Sequence, residues 1–416
     1  MFRHYVAAVT LLLGSLMLPQ SVVANVPAWE SWRPIYTPQP YVQPYQQQRR
    51  EYAPPRQGNP IYRQTAYRPH TSFDRSLECG YAQALQLPDQ CIHKNAHTRH
   101  GLETLVNYLK RVPPAQKAGI GWVNISNAAL LETVNELLNW HEGITPGTLR
   151  ERFSMREIST WRGDAKAQYT GYFTPFLEVR HHPNSEFRIP IYRKPNGTLA
   201  QLSHADIARR ALNGRGLEIA WTNDLANLFF AQVQGSGIAR YPDGKEMLLE
   251  YGGDNGKTFS SIAHYMKQRG IKLRNYGNEA IRDWLRANPQ RAGEIITSNP
   301  RYVFFKLTTG LPTTASGTRV IPGHTVAVDR NYIPLGAVLL AEVPRIDANG
   351  REVGRDWRLL FAQDQGGDIK GAGRLDLYTG FGRHAENIAH SVTGFRKAYM
   401  LVRKPGYGRN TNIANR

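Results

Sequence analysis

Negative charge and sulfur are scarce in this chain. Its 416 residues carry 33 acidic against 52 basic side chains, a formal net charge of +19, and only two cysteines. The acid deficit favours anionic partners: nucleic acid, an acidic membrane surface or an acidic cell-wall polymer. The cysteines, Cys79 and Cys91, lie close together, and a metal pair there lacks further ligands at useful spacing. In an oxidising compartment they are expected to form one disulfide closing a short loop.

Familiar catalytic loops are missing as well. GGDIKG (366–371) lacks the G-x-x-x-x-G-K-[ST] order of a phosphate loop. QGSG (234–237) sets Ser236 between glycines, but Gln234 stands where a nucleophile elbow has its first glycine. His141-Glu142 has no second histidine to make a zinc-protease helix, and the 13 histidines are scattered. Neither a metal nor a cofactor is expected. Beyond the first residues no apolar run is long enough to span a bilayer, and no repeat of solenoid period is present.

The first residues do set a compartment. MFRHYVAAVTLLLGSLMLPQSVVA has a basic start at Arg3, an apolar run from Val6 to Leu18 and a small-residue ending at Ala24. Residues 1–24 are expected to be a secretory signal peptide, too short to act as a membrane span. No cysteine lies near the cleavage point, so no lipid anchor is expected on the mature chain. An exported, periplasmic protein has no nucleic acid to meet. Residues 25–75 are rich in Pro, Tyr, Gln and Arg with few aliphatic side chains to bury, which predicts a disordered tether.

The remaining length exceeds one ordinary core, and 41% hydrophobic residues suffice for two domains. LETLVNYLKRV (102–112) and SNAALLETVNELLNW (126–140) repeat apolar residues at helical spacing, the second capped by Asn124 or Ser126. AQYTGYFTPFLEVRHH and EFRIPIYRK read as strands, with a turn at Pro195-Asn196-Gly197. Helical patterns return between residues 203 and 298, and strands dominate from Tyr302 onward, with a hairpin signal at Asn349-Gly350.

Two aspartates stand out in AQDQGGDIKGAGRLDLY (362–378). Alternation in RLDLY puts Leu375 and Leu377 on one strand face and Asp376 on the other. Asp364 ends RLLFAQD, just before Gly366-Gly367, which let a backbone approach a ligand, and Lys370 adds a donor. Desolvation would give Asp376 the raised pKa of a general acid. The same spacing equally suits two aspartates that end strands and bond loop amides.

YTGYFTPFLEVR, FFAQVQGSG, VAVDRNYIPLGAVLLAEVP and AQDQGGDIKGAGRLDLYTGFG, in that order, resemble the MltA family of lytic murein transglycosylases. The resemblance runs from Tyr169 to about Lys404. It implies an α+β, mainly β fold: a double-psi β-barrel domain (76–170 and 308–406) interrupted by a second β domain (171–307), with a glycan groove between them and a flexible tail at 407–416. It implies peptidoglycan glycan strands as substrate. Asp376 would be the acid and then the base that cleaves the β-1,4 MurNAc–GlcNAc bond, leaving 1,6-anhydromuramic ends. Asp364 and Asp329 complete the family's three aspartates. Asp364 would hold a sugar hydroxyl or tune Asp376, and Asp329 would order loops. Tyr172 is expected in the groove with Phe173 in the core, and Gln234 with Gly235 in a sugar-binding loop.

Three features depart from the pattern. Asp368 occupies a position where the family often has a small apolar residue, the anchoring cysteine is absent, and the tether lies outside the resemblance. The tether is a candidate contact for cell-wall machinery; a monomer is expected. Three other readings remain: a non-catalytic wall-binding protein, a scaffold or recruitment protein acting mainly through the tether, and a hydrolytic muramidase using Asp364 or Asp368 as second carboxylate.

Overall fold

The computed structural model describes residues 96–118, 124–140, 146–160, 166–347 and 350–406. The expected signal peptide (1–24) and tether (25–75), Cys79, Cys91, His141-Glu142, Asn349 and the expected tail (407–416) lie outside the described residues. No helix among the described residues is long and apolar enough to cross a membrane.

Two amphipathic helices open the described chain, Ala96–Leu109 and Asn127–Asn139. Leu102, Leu105 and Leu109 of the first and Leu130, Val134 and Leu137 of the second are all buried, as their i, i+3, i+4 spacing requires. Ser126 caps the second helix, its hydroxyl accepting from the Ala129 N–H at 3.2 Å. These helices join the apolar face of an eight-stranded mixed sheet to make the larger core, with Val338, Leu340, Leu359, Phe361, Leu375 and Leu377.

That sheet runs in the order Gly394–Arg396, Ala167–Thr174, Arg374–Phe381, Thr325–Ala327, Glu352–Asp364, Val338–Ile346, Ala398–Arg403, Phe153–Glu157. Arg374–Phe381 lies parallel to Ala167–Thr174, and Thr325–Ala327 lies parallel to Glu352–Asp364. Val338–Ile346 and Glu352–Asp364, which flank Gly350, pair antiparallel.

At Pro175 the chain leaves this sheet for a second one of six strands, ordered Val303–Thr308, Glu246–Asp254, Gly237–Arg240, Phe176–Arg180, Glu218–Thr222, Ile189–Tyr192. Its core contains Leu177, Val179, Ile191, Phe229, Ile295 and Phe305. Mixed sheets with helices make the fold α+β, as expected from the sequence. The Pro195-Asn196-Gly197 turn differs in detail, leading into a short 3-10 helix, Gly197–Gln201, rather than directly into a strand.

The two lobes touch through charged groups. Arg282, on the helix Asn278–Ala287, pairs with Glu386, on the helix Gly382–Ser391, with both side chains largely buried. Arg319 reaches buried Glu250 at 3.2 Å.

Candidate active site

The strand Arg374–Phe381 alternates as its sequence suggests. Leu375 and Leu377 are buried in the larger core, while Asp376 points to the opposite face and keeps partial exposure. On one side of Asp376 the ladder partner is Thr170; on the other it is Ala327. Ala327 in turn pairs with Asp364 on the next strand. Asp364, Ala327, Asp376 and Thr170 thus form one row across four strands. At about 4.8 Å per strand, the two aspartates start roughly 10 Å apart, separated at floor level only by a methyl group.

A β-bulge makes that row possible. Pairing shifts between Val326 and Ala327, so that Val326 faces Ala362 but Ala327 faces Asp364. The skipped residue, Gln363, is fully buried, where Thr325, Thr318 and Thr104 hydroxyls satisfy its amide. The bulge sends Gln363 into the core and turns Asp364 toward Asp376.

Hydrogen bonds hold both carboxyls. Thr170 Oγ1 donates to Asp376 Oδ1 at 2.6 Å. Asp364 Oδ1 accepts from the Ala315 and Gln365 N–H groups at 3.0 and 2.9 Å, and its Oδ2 accepts from the Tyr172 hydroxyl at 2.8 Å. Burial pushes the Asp376 carboxyl up to about 6. The Thr170 bond and the Arg374 guanidinium pull it down, and the charges of Asp364 and Asp368 push it further up. Burial also raises Asp364, opposed by its three donors. The Tyr172 phenol is driven well above its usual range by burial and by the adjoining Asp364.

Tyr172 is half-buried with its ring 5.1 Å from that of Tyr378, while Phe173 packs into a small core with Ala385 and Ala389. Gly171 between Thr170 and Tyr172 allows this packing: a Cβ there would meet the Ala389 backbone at 2.6 Å. Gln234 proves to be the last residue of a helix, Leu225–Gln234, not part of a loop. The apolar run LANLFFAQ is too short and uniform for periodicity to tell helix from strand. Gly235 ends that helix at φ 80°, a left-handed cap suited to glycine. Gln234 Oε1 accepts from the Phe173 N–H at 3.0 Å, leaving its amide NH2 end directed away from that bond. Buried Thr174 links the two lobes here, its hydroxyl 3.0 Å from Ser236 and 2.9 Å from Tyr378.

Asp329 stands outside the row. Its carboxylate accepts from the Asn331 N–H at 3.1 Å and the Gly371 N–H at 2.9 Å, tying the glycine-rich loop to the turn after Thr325–Ala327. Gly366 and Gly367 lie in that loop, and the Arg301 guanidinium of the other lobe lies close against Gly367. Lys370 and Asp368 are exposed on it. Thr170, Arg374 and Tyr378 carry no signal in the sequence, and Ser236 stood out there only as a failed match to a nucleophile elbow. Only the i, i+2 spacing of Thr170 and Tyr172 hinted that both face the same way. Among the described residues no group of three His, Cys, Asp or Glu side chains could hold a metal ion.

Comparison with known proteins identifies the family. Residues 197–306 match the model of the MltA specific insert domain and residues 324–402 that of the 3D domain. The membrane-bound lytic murein transglycosylase A of Vibrio cholerae is 36% identical over 263 residues, 62% of this chain and 71% of that protein. The Escherichia coli K12 protein of the same name is 37% identical over 246 residues, covering 58% and 67%. The crystal structure of E. coli MltA with bound chitohexaose superposes with a TM-score of 0.62 at 29% identity, covering 77% of this chain and 94% of that one. The chain belongs to the MltA family of lytic murein transglycosylases.

Proposed function

We propose that this protein is a lytic transglycosylase of the cell envelope that cleaves the β-1,4 bond between N-acetylmuramic acid and N-acetylglucosamine of peptidoglycan. The observation that carries this reading is Asp376: one partly exposed carboxyl, raised to about 6 by burial, set in one row of the eight-stranded sheet with Thr170 beside it and Asp364 two strands away. Such a group is protonated often enough near neutrality to act as an acid and, once ionised, is basic enough to recover its proton.

In the proposed reaction Asp376 gives its proton to the glycosidic oxygen as the C1–O bond breaks, and the GlcNAc hydroxyl leaves. The C6 hydroxyl of the same muramic residue attacks C1, and its proton returns to Asp376. The product is a 1,6-anhydromuramic end, with no water consumed and the acid regenerated. A second nucleophilic carboxylate is not needed, because the substrate supplies the nucleophile. Asp364 is assigned the part of the negative neighbour that keeps Asp376 protonated and fixes Tyr172. Asp329 is assigned the ordering of the loop that carries Gly366, Gly367 and Lys370 at the groove rim. The Gln234 amide and the Gly235 turn are assigned to sugar hydroxyls.

Chitohexaose bound to the E. coli relative supports a β-1,4 amino-sugar chain as ligand class. The basic surplus suits retention on the anionic wall, and the leader sequence supports a periplasmic location. The test is mass spectrometry of purified peptidoglycan after incubation with wild type and Asp376→Asn. Anhydromuropeptides from wild type alone are expected. Reducing-end products would make the enzyme a hydrolase, and no soluble product from either would leave a glycan-binding protein.

A further inference from the structure

We propose that a cavity within the six-stranded-sheet lobe is a second binding site, for a small amphiphile with an apolar or aromatic body, an N–H or O–H donor at its buried end and an anionic group at its mouth. The cavity has a volume of about 580 Å³ and is lined only by residues between Pro183 and Tyr302. It includes neither Asp364, Asp376, Tyr172 nor Gln234. Its size falls among ligand pockets, and its walls are apolar, with Ile189, Trp221, Leu225, Leu228, Phe229 and Ile296.

The polar groups inside are satisfied, with one exception. Tyr192 donates to Asn213 Oδ1 at 2.7 Å, and the Gln232 amide donates to the Val303 carbonyl at 3.1 Å. His204 is 4% exposed, and its Nδ1 has no hydrogen-bond partner among the described residues. The ring is fixed between Phe229, stacked at 6.3 Å, and the edge of Tyr302 at 5.1 Å. Carbonyls of Asn299 and Arg301 hydrogen-bond it. Burial lowers its pKa to about 4, so the ring is neutral at pH 7. In a neutral ring that gives its N–H to one of those carbonyls, Nδ1 would serve as the acceptor for a ligand held in the cavity that His204 lines. A buried acceptor without a partner is costly, and a ligand donor would relieve it.

The exposed lining residues mark the mouth, where Arg188 and Arg210 stand, and half-buried Glu218 is the one acidic residue of the lining. Arg210 is the one non-glycine residue with positive φ, 67°, among the described residues. A bulky side chain is strained there, yet it sets a guanidinium at the rim.

The probe 8-anilinonaphthalene-1-sulfonate carries all three features: fused rings, an anilino N–H and a sulfonate. Titrated into the full native chain, it is expected to occupy one saturable site that chitohexaose does not displace. Leu228→Trp, which fills the cavity, should abolish binding, and His204→Phe should weaken it about tenfold, the loss of one hydrogen bond. Arg210→Gly relieves the positive φ while removing the rim cation, so it should keep the fold and bind severalfold more weakly. Absence of a saturable site, displacement by chitohexaose, or unchanged affinity in both Leu228→Trp and Arg210→Gly would overturn the proposal.

Discussion

Thr170 and Asp376, separated by 206 residues in the chain, share a 2.6 Å hydrogen bond between neighbouring parallel strands. The hydroxyl donates to a carboxylate oxygen, which favours the ionised form and pulls against the burial that raises Asp376.

Replacing Thr170 with valine should therefore move the Asp376 pKa further above about 6. If Asp376 must be protonated to act as the acid, the alkaline limb of the kcat/KM profile shifts to higher pH by roughly half a unit to one unit. A pH–rate profile of muropeptide release measures this. An unmoved limb would mean that Asp376 does not set it.

Asp376 also has a pH-dependent effect on stability. Its folded pKa is raised, so the native state binds the proton more tightly than the unfolded chain does. Its stabilising contribution is full below about 3.8 and disappears as pH rises through about 6. At pH 7.5 the ionised carboxyl is held at a cost, and Asp376→Asn should stabilise the fold by on the order of 1–2 kcal/mol while abolishing turnover. The gain should shrink toward pH 4. Thermal melts of both proteins at the two pH values decide this, and equal melting temperatures at pH 7.5 would count against a buried, strained acid.

Tyr172→Phe removes one of the three donors to Asp364 while keeping the ring. Losing a bond to a partly buried carboxyl costs about 1–3 kcal/mol. A melting temperature lower by several degrees and a roughly tenfold fall in kcat/KM are expected. If melting falls and the rate does not, the bond serves the fold alone.

Gly171→Ala tests the close approach behind the site. The new methyl would sit 2.6 Å from the Ala389 backbone, which cannot move aside as a flexible side chain can. Overpacking of this kind costs about 1–3 kcal/mol and would push the strand bearing Thr170 and Tyr172 away from the helix Gly382–Ser391. Loss of both stability and activity is expected in denaturant melts and turnover assays.

Local pattern alone determined a good deal. Leu102, Leu105 and Leu109 recur at helical spacing and lie in the core, and Ser126 is the cap. Asp376 between Leu375 and Leu377 turns away from that core because side chains in a strand alternate. The ordered motifs carried the family. What only the tertiary structure decided is which groups surround Asp376. Thr170 arrives through the register of a parallel pair formed by distant segments, and no local period encodes that register. Asp364 faces Asp376 because a bulge skips Gln363, which a strict two-residue alternation would have placed there. Gln234 meets Phe173 because LANLFFAQVQ, ambiguous as a sequence, folds as a helix against a sheet that buries it on most sides. Periodicity reports only whether a residue faces toward or away from a core; the neighbours it meets there depend on pairings between segments far apart in the chain.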